Sequence, residues 1–114
     1  MNSPITTHVL DTMAGKPASG VTVLLQRQHE DGAWQQLASS TTDNDGRIMN
    51  FLPAGSPPVG GVYRLVFRTE EYFSARNTGT FYPEVAVVFR VDNGGHYHVP
   101  LLISPFGYST YRGS

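Results

Sequence analysis

Apolar residues recur at every second position through four stretches of this chain, and that period constrains the fold more than any other feature. Val21, Val23 and Leu25 share one face of an extended segment, and Tyr63, Leu65 and Phe67 share another, with Arg64 and Arg68 opposite. Val85, Val87, Phe89 and Val91 continue the pattern, as do Tyr97, Val99 and Leu101. Successive side chains of a strand point to opposite faces, so this alternation predicts strands with one face buried. The strings "AGKPASG", "EDG", "DNDG", "PAGSPPVGG" and "DNGG" lie between these runs. Their Asp-Gly and Asn-Gly pairs supply the positive backbone angles that tight hairpins need. Only "TEEYFSARN", residues 69–77, reads as helix, with Thr69 as its N-cap and two acids in its first turn. Many short strands and one two-turn helix make an all-β domain, a sandwich or a barrel. A chain of 114 residues is long enough for one such domain, spanning 1–114, and too short for two.

Several function classes drop out on composition. The net charge of -1 gives no electrostatic case for nucleic acid or an anionic membrane surface. With no cysteine, disulfides, thiolate zinc sites and cysteine nucleophiles are excluded together. No apolar run approaches the ~20 residues that span a bilayer. The opening "MNSPITTHVL" has neither a basic n-region nor an apolar h-region, so a cytoplasmic location is expected.

Few residues are left to carry chemistry. His96 and His98 flank Tyr97 in "GGHYHVP", so on a strand both leave by one face. Three readings fit that spacing: an exposed strand end, a zinc site completed by a distant third histidine, or metal-free proton transfer by neutral imidazoles. His8 lies in the extended "TTHVLD", with Thr6 and Leu10 on its face, whereas His29 in "HEDG" is a solvated loop residue. Arg47 follows "TTDNDG" at the start of a strand. There it is either a surface residue flanking a hairpin or, if it meets the histidines, a clamp for a flat anion or an oxyanion. The closing "SPFGYSTYRGS" is either a soft tail or part of a site.

Together these segments resemble the 5-hydroxyisourate hydrolases, the transthyretin-related enzymes of urate breakdown. "THVLDTMAGKPASGVTVLL", "TTDNDGR" and "HYHVPLLISPFGYSTYRGS" carry the resemblance in the family's order, with no departure at the motif positions. The terminal Tyr-Arg-Gly-Ser is the most specific, because it separates the hydrolases from the transthyretins proper. The resemblance implies a sandwich of two four-stranded sheets with one short helix. It also implies a homotetramer with active sites at the dimer–dimer interface, in the channel transthyretin uses for thyroid hormone.

The implied reaction hydrolyses the N1–C6 amide of 5-hydroxyisourate to give 2-oxo-4-hydroxy-4-carboxy-5-ureidoimidazoline, without metal or other cofactor. The family's functional residues fall on His8, Arg47, His98 and the terminal Tyr111, Arg112, Gly113 and Ser114, with His96 a weaker match. Arg47 is expected to bind the substrate and its oxyanion, His8 and His98 to divide the proton transfers, and Ser114 to orient His98 or the water. Tyr111 and Ser114 are expected to wall the pocket. Two rivals remain: a carrier of a small apolar ligand in the same channel, and a structural β-sandwich with incidental histidines. A carrier of apolar ligands gains nothing from desolvating His8, Arg47 and His98.

Overall fold

The computed structural model describes residues 3–53 and 58–114. The middle of the turn signal "PAGSPPVGG" and the first two residues of the opening segment fall outside them. The elements are β1 (Ile5–Asp11), β2 (Lys16–Pro17), β3 (Thr22–Gln28), β4 (Trp34–Thr41), β5 (Arg47–Ile48), β6 (Gly61–Phe67), α1 (Thr69–Ser74), β7 (Val85–Val91), β8 (Tyr97–Ser104) and β9 (Gly107–Thr110). One sheet runs β2-β1-β8-β9, with the short β5 also paired to β1; the other runs β4-β3-β6-β7. This is the expected sandwich, not a barrel.

Alternation decides what goes between the sheets. Val23 and Leu25 of β3, Leu65 and Phe67 of β6, and Leu101 and Ile103 of β8 are essentially inaccessible. Each such side chain contributes roughly 1.5–3 kcal/mol of burial relative to exposure. At the centre of the first sheet β1 and β8 run parallel, with Thr6 opposite His98 and His8 opposite Pro100. Ile5 and Val9 point into the core, so Thr6 and His8 point outward from the sandwich.

Helix α1 departs from the expectation in two respects. It ends at Ser74 rather than at residue 77, and Thr69 is its first helical residue, not its cap. Arg68 holds the N-cap position without a side-chain bond, and the Thr69 hydroxyl donates to the Tyr82 carbonyl at 2.8 Å rather than capping the helix. Glu70 and Glu71 do occupy the first turn. Tyr72 and Phe73 seat the helix on the sandwich. The Tyr72 hydroxyl donates to the buried Asp11 carboxylate at 2.7 Å, and the other Asp11 oxygen accepts the amides of Met13 and Ala14. Burial and this carboxylate push the Tyr72 phenol up to about 12. Among the described residues no helix is long and apolar enough to cross a membrane.

Candidate active site

The outward face of the first sheet gathers the polar residues singled out above. Register alone brings three of them together. His98 on β8 is diagonal to His8 on β1, and His8 is the direct cross-strand partner of Arg47 on β5. Side chains of paired residues leave by the same face, and diagonal neighbours lie within reach of long side chains.

The "TTDNDGR" loop is what sets β5 against β1. The Asp43 carboxylate accepts the amides of Asp45 at 2.9 Å and Arg47 at 3.0 Å, folding the loop around itself. The Arg47 amide is the main reason that the Asp43 carboxyl is held below the usual carboxylate range. Gly46 has φ +76°, and a Cβ there would meet the Val9 carbonyl oxygen at 2.4 Å, so only glycine lets the loop approach β1. The Val9 amide then donates to the Gly46 carbonyl at 2.7 Å. A further consequence reaches His8, whose Nε2–H donates to the Asp45 carbonyl at 2.9 Å. Since a carbonyl only accepts, this bond requires a proton on Nε2, and in the neutral ring Nδ1 then carries the lone pair.

His98 is fixed on two sides. Its Nδ1 lies 2.8 Å from the Thr6 hydroxyl, and its carbonyl accepts the Gly113 amide at 2.8 Å. A Cβ on Gly113 would fall 2.6 Å from the ring's Cδ2, so the closing segment can lie against the imidazole only because residue 113 has no side chain. Burial, followed by the neighbouring His8, His96 and Arg47, holds the His98 imidazole below its ordinary range. It is therefore neutral at neutral pH, able to take a proton at one nitrogen and give one at the other.

The remaining expected site residues lie around this centre. His96 is exposed on the same face, its Nε2 3.3 Å from the Thr6 hydroxyl. Tyr111 is exposed and lines a cavity of about 320 Å³ at the sandwich edge, with His98, Val99 and Arg112 among its walls. The Arg112 guanidinium sits 5.0 Å over the Tyr97 ring, and Ser114 follows the His98–Gly113 bridge as an exposed residue. This cavity reaches His98 but not His8 or Arg47. In the single chain, then, the three-residue centre lies on an open sheet face. Among the described residues no three His, Cys, Asp or Glu side chains are grouped as a metal site requires. His29, as expected, is an exposed loop residue remote in sequence from this face. Two contributors escaped the sequence reading: Thr6, noted only for sharing His8's face, and the backbone carbonyl of Asp45, which no residue pattern reveals.

Comparison with known proteins matches residues 5–113 to the family model described as HIUase/transthyretin. The chain belongs to the HIUase/transthyretin family. It is 47% identical to a 5-hydroxyisourate hydrolase of Salmonella dublin, over 99% of this chain and 82% of that protein. The crystal structure of sea bream transthyretin in complex with thyroxine superposes with a TM-score of 0.90 at 34% identity, covering 97% of this chain and 95% of that one. The 5-hydroxyisourate hydrolase of Klebsiella pneumoniae gives a TM-score of 0.83 at 37% identity, covering 96% and 92%. Within this family both a thyroxine-bound protein and a hydrolase thus share the backbone, and the difference between them rests on side chains.

Proposed function

We propose that this chain hydrolyses 5-hydroxyisourate to 2-oxo-4-hydroxy-4-carboxy-5-ureidoimidazoline, a step of urate degradation. The observation that carries the reading is the convergence of His8, Arg47 and His98 on one sheet face. It is joined by 47% identity to a protein named for that activity. The substrate is flat and rich in carbonyl and N–H groups, and the Arg47 fork suits it. Arg47 binds the ring and stabilises negative charge on the C6 oxygen as water adds. One imidazole of the His8 and His98 pair takes the proton of the attacking water, and the other gives a proton to N1 as the C6–N1 bond breaks. That step leaves a carboxylic acid at C6 and a new N–H at N1; the acid then releases its proton to solvent as the carboxylate, and the proton gained by one imidazole equals the proton lost by the other.

An open sheet face lacks the walls that bury a ligand. The proposed enzyme is therefore a homotetramer in which faces of neighbouring subunits oppose each other across the dimer–dimer interface. Tyr111 closes one side against the substrate, and Ser114 orients His98 or the water. A carrier role is less well supported, because three polar groups on one face favour a polar substrate over an apolar ligand. The test is the disappearance of freshly generated 5-hydroxyisourate, followed against its spontaneous decay. A rate proportional to protein concentration and above background is expected, and no rate above background overturns the proposal.

A further inference from the structure

Thr6 presents an anomaly: it lies on the outward face of its sheet, yet it is completely buried. The two imidazoles cover it. Its hydroxyl is 2.8 Å from His98 Nδ1 and 3.3 Å from His96 Nε2. A buried hydroxyl needs partners, and here both partners are titratable rings. A hydroxyl has one proton to donate and lone pairs to accept with, so the bridge has two complementary states. In the first, His98 Nδ1–H donates to Oγ1 and the Thr6 O–H donates to His96 Nε2, which leaves His98 Nε2 as a base. In the second, His96 Nε2–H donates to Oγ1 and the Thr6 O–H donates to His98 Nδ1, which leaves His98 Nε2–H as an acid.

We propose that Thr6 is a positioning residue whose hydroxyl bridge turns His98 Nε2 toward the substrate and connects His98 to the exposed His96. When Nε2 takes a proton, Nδ1–H passes its own to Oγ1, and the Thr6 hydroxyl proton moves to His96 Nε2. The positive charge then rests on the solvent-exposed ring, and no imidazolium has to persist on the half-buried one. The reverse transfer restores the first state. The titratable and charged groups around His98 are His8 on β1, Arg47 on β5 and His96 just before β8, with Arg90 on β7 and Tyr111 and Arg112 on the closing segment lining the same cavity. The Thr6 hydroxyl lies between the His98 and His96 rings.

This inference rests on the proposed hydrolase reading, and its test separates the two. In Thr6→Val, which keeps the shape and removes the hydroxyl, kcat is expected to fall about tenfold to a hundredfold, with KM within about twofold. Thr6→Ser should recover most of that loss, and the acid limb of the kcat profile should move in Thr6→Val but not in Thr6→Ser. His96→Ala, which keeps Thr6 and removes the outer ring, should also lower kcat, and added imidazole buffer should restore it. Nitrogen-15 NMR of the ring nitrogens gives a readout that needs no substrate. His98 Nδ1 should show a hydrogen-bonded shift in the wild type and Thr6→Ser, and lose it in Thr6→Val. Wild-type kcat with an unchanged pH profile in folded Thr6→Val overturns the bridge, as does an Nδ1 signal indifferent to the hydroxyl. Equal losses in Thr6→Val and Thr6→Ser, tracking lowered thermal stability, also overturn it. A wild type without turnover defeats the hydrolase reading instead, and the NMR result still decides whether the bridge exists.

Discussion

His98 is shaped by contacts that leave it little freedom, with the Thr6 hydroxyl at Nδ1 and the Gly113 backbone against Cδ2. Because its imidazole is held below the ordinary histidine value of 6.5, its effect on stability has a definite sign. The neutral ring is favoured in the folded state. Its contribution is fully present above 6.5 and is lost as pH falls through the depressed folded value. NMR titration should therefore place the His98 midpoint below 6.5, and a midpoint above it would contradict the site geometry. Gly113 supplies the sharper test. The Cβ of Gly113→Ala would overlap the ring, so the imidazole or the closing segment must move. We expect kcat/KM to fall about tenfold or more, with only a small change in Tm, since misplaced reacting groups cost far more rate than stability. An unchanged kcat/KM would mean that the ring position does not matter.

Among the elements, strands with an apolar face against the core were legible from sequence, the edge strand β7 included, and strands without one were not. Alternation marked β3, β6, β7 and β8, because each has one face against the core. It missed β4, whose residues are all exposed or only half-buried, and β9, a four-residue edge strand in what reads as a polar tail. Such strands need no apolar face, so they leave no period to detect. The site was legible in its members and not in their meeting. His8, Arg47 and His98 each sit on an extended segment, but their convergence depends on the β1–β8 and β1–β5 registers, which join distant parts of the chain.

The Asp11–Tyr72 bond is likewise a tertiary feature, joining β1 to α1 across the core. Tyr72→Phe removes one partner of a buried carboxylate and should destabilise the fold by about 1–3 kcal/mol, read from denaturant unfolding, while leaving turnover intact. No loss of stability would show that the bond contributes nothing net. Removing Tyr111 through Ser114 has the opposite signature. The segment is mostly exposed, so the sandwich should remain folded. The Gly113 amide bond to His98 and the Arg112 cover over Tyr97 would be lost, and turnover with them. Size measurement on the same sample separates loss of the site from loss of assembly. A truncated protein with intact assembly and full activity would make the segment a mere tail.

At the scale of the whole molecule, the backbone does not say what the protein does. It superposes on a thyroxine-bound transthyretin at least as closely as on a hydrolase, with TM-scores of 0.90 and 0.83. Function therefore rests on what one sheet face carries and on what covers that face. On this face, we propose, His8 and His98 perform the proton transfers of 5-hydroxyisourate hydrolysis. The measurement that tests it most directly compares wild type, His8→Ala and His98→Ala on the same freshly generated substrate, with folding and assembly checked for each. Both variants should lose about a hundredfold or more in kcat/KM, the scale of lost general acid–base help. Variants that fold and assemble like wild type yet keep its rate would contradict the account.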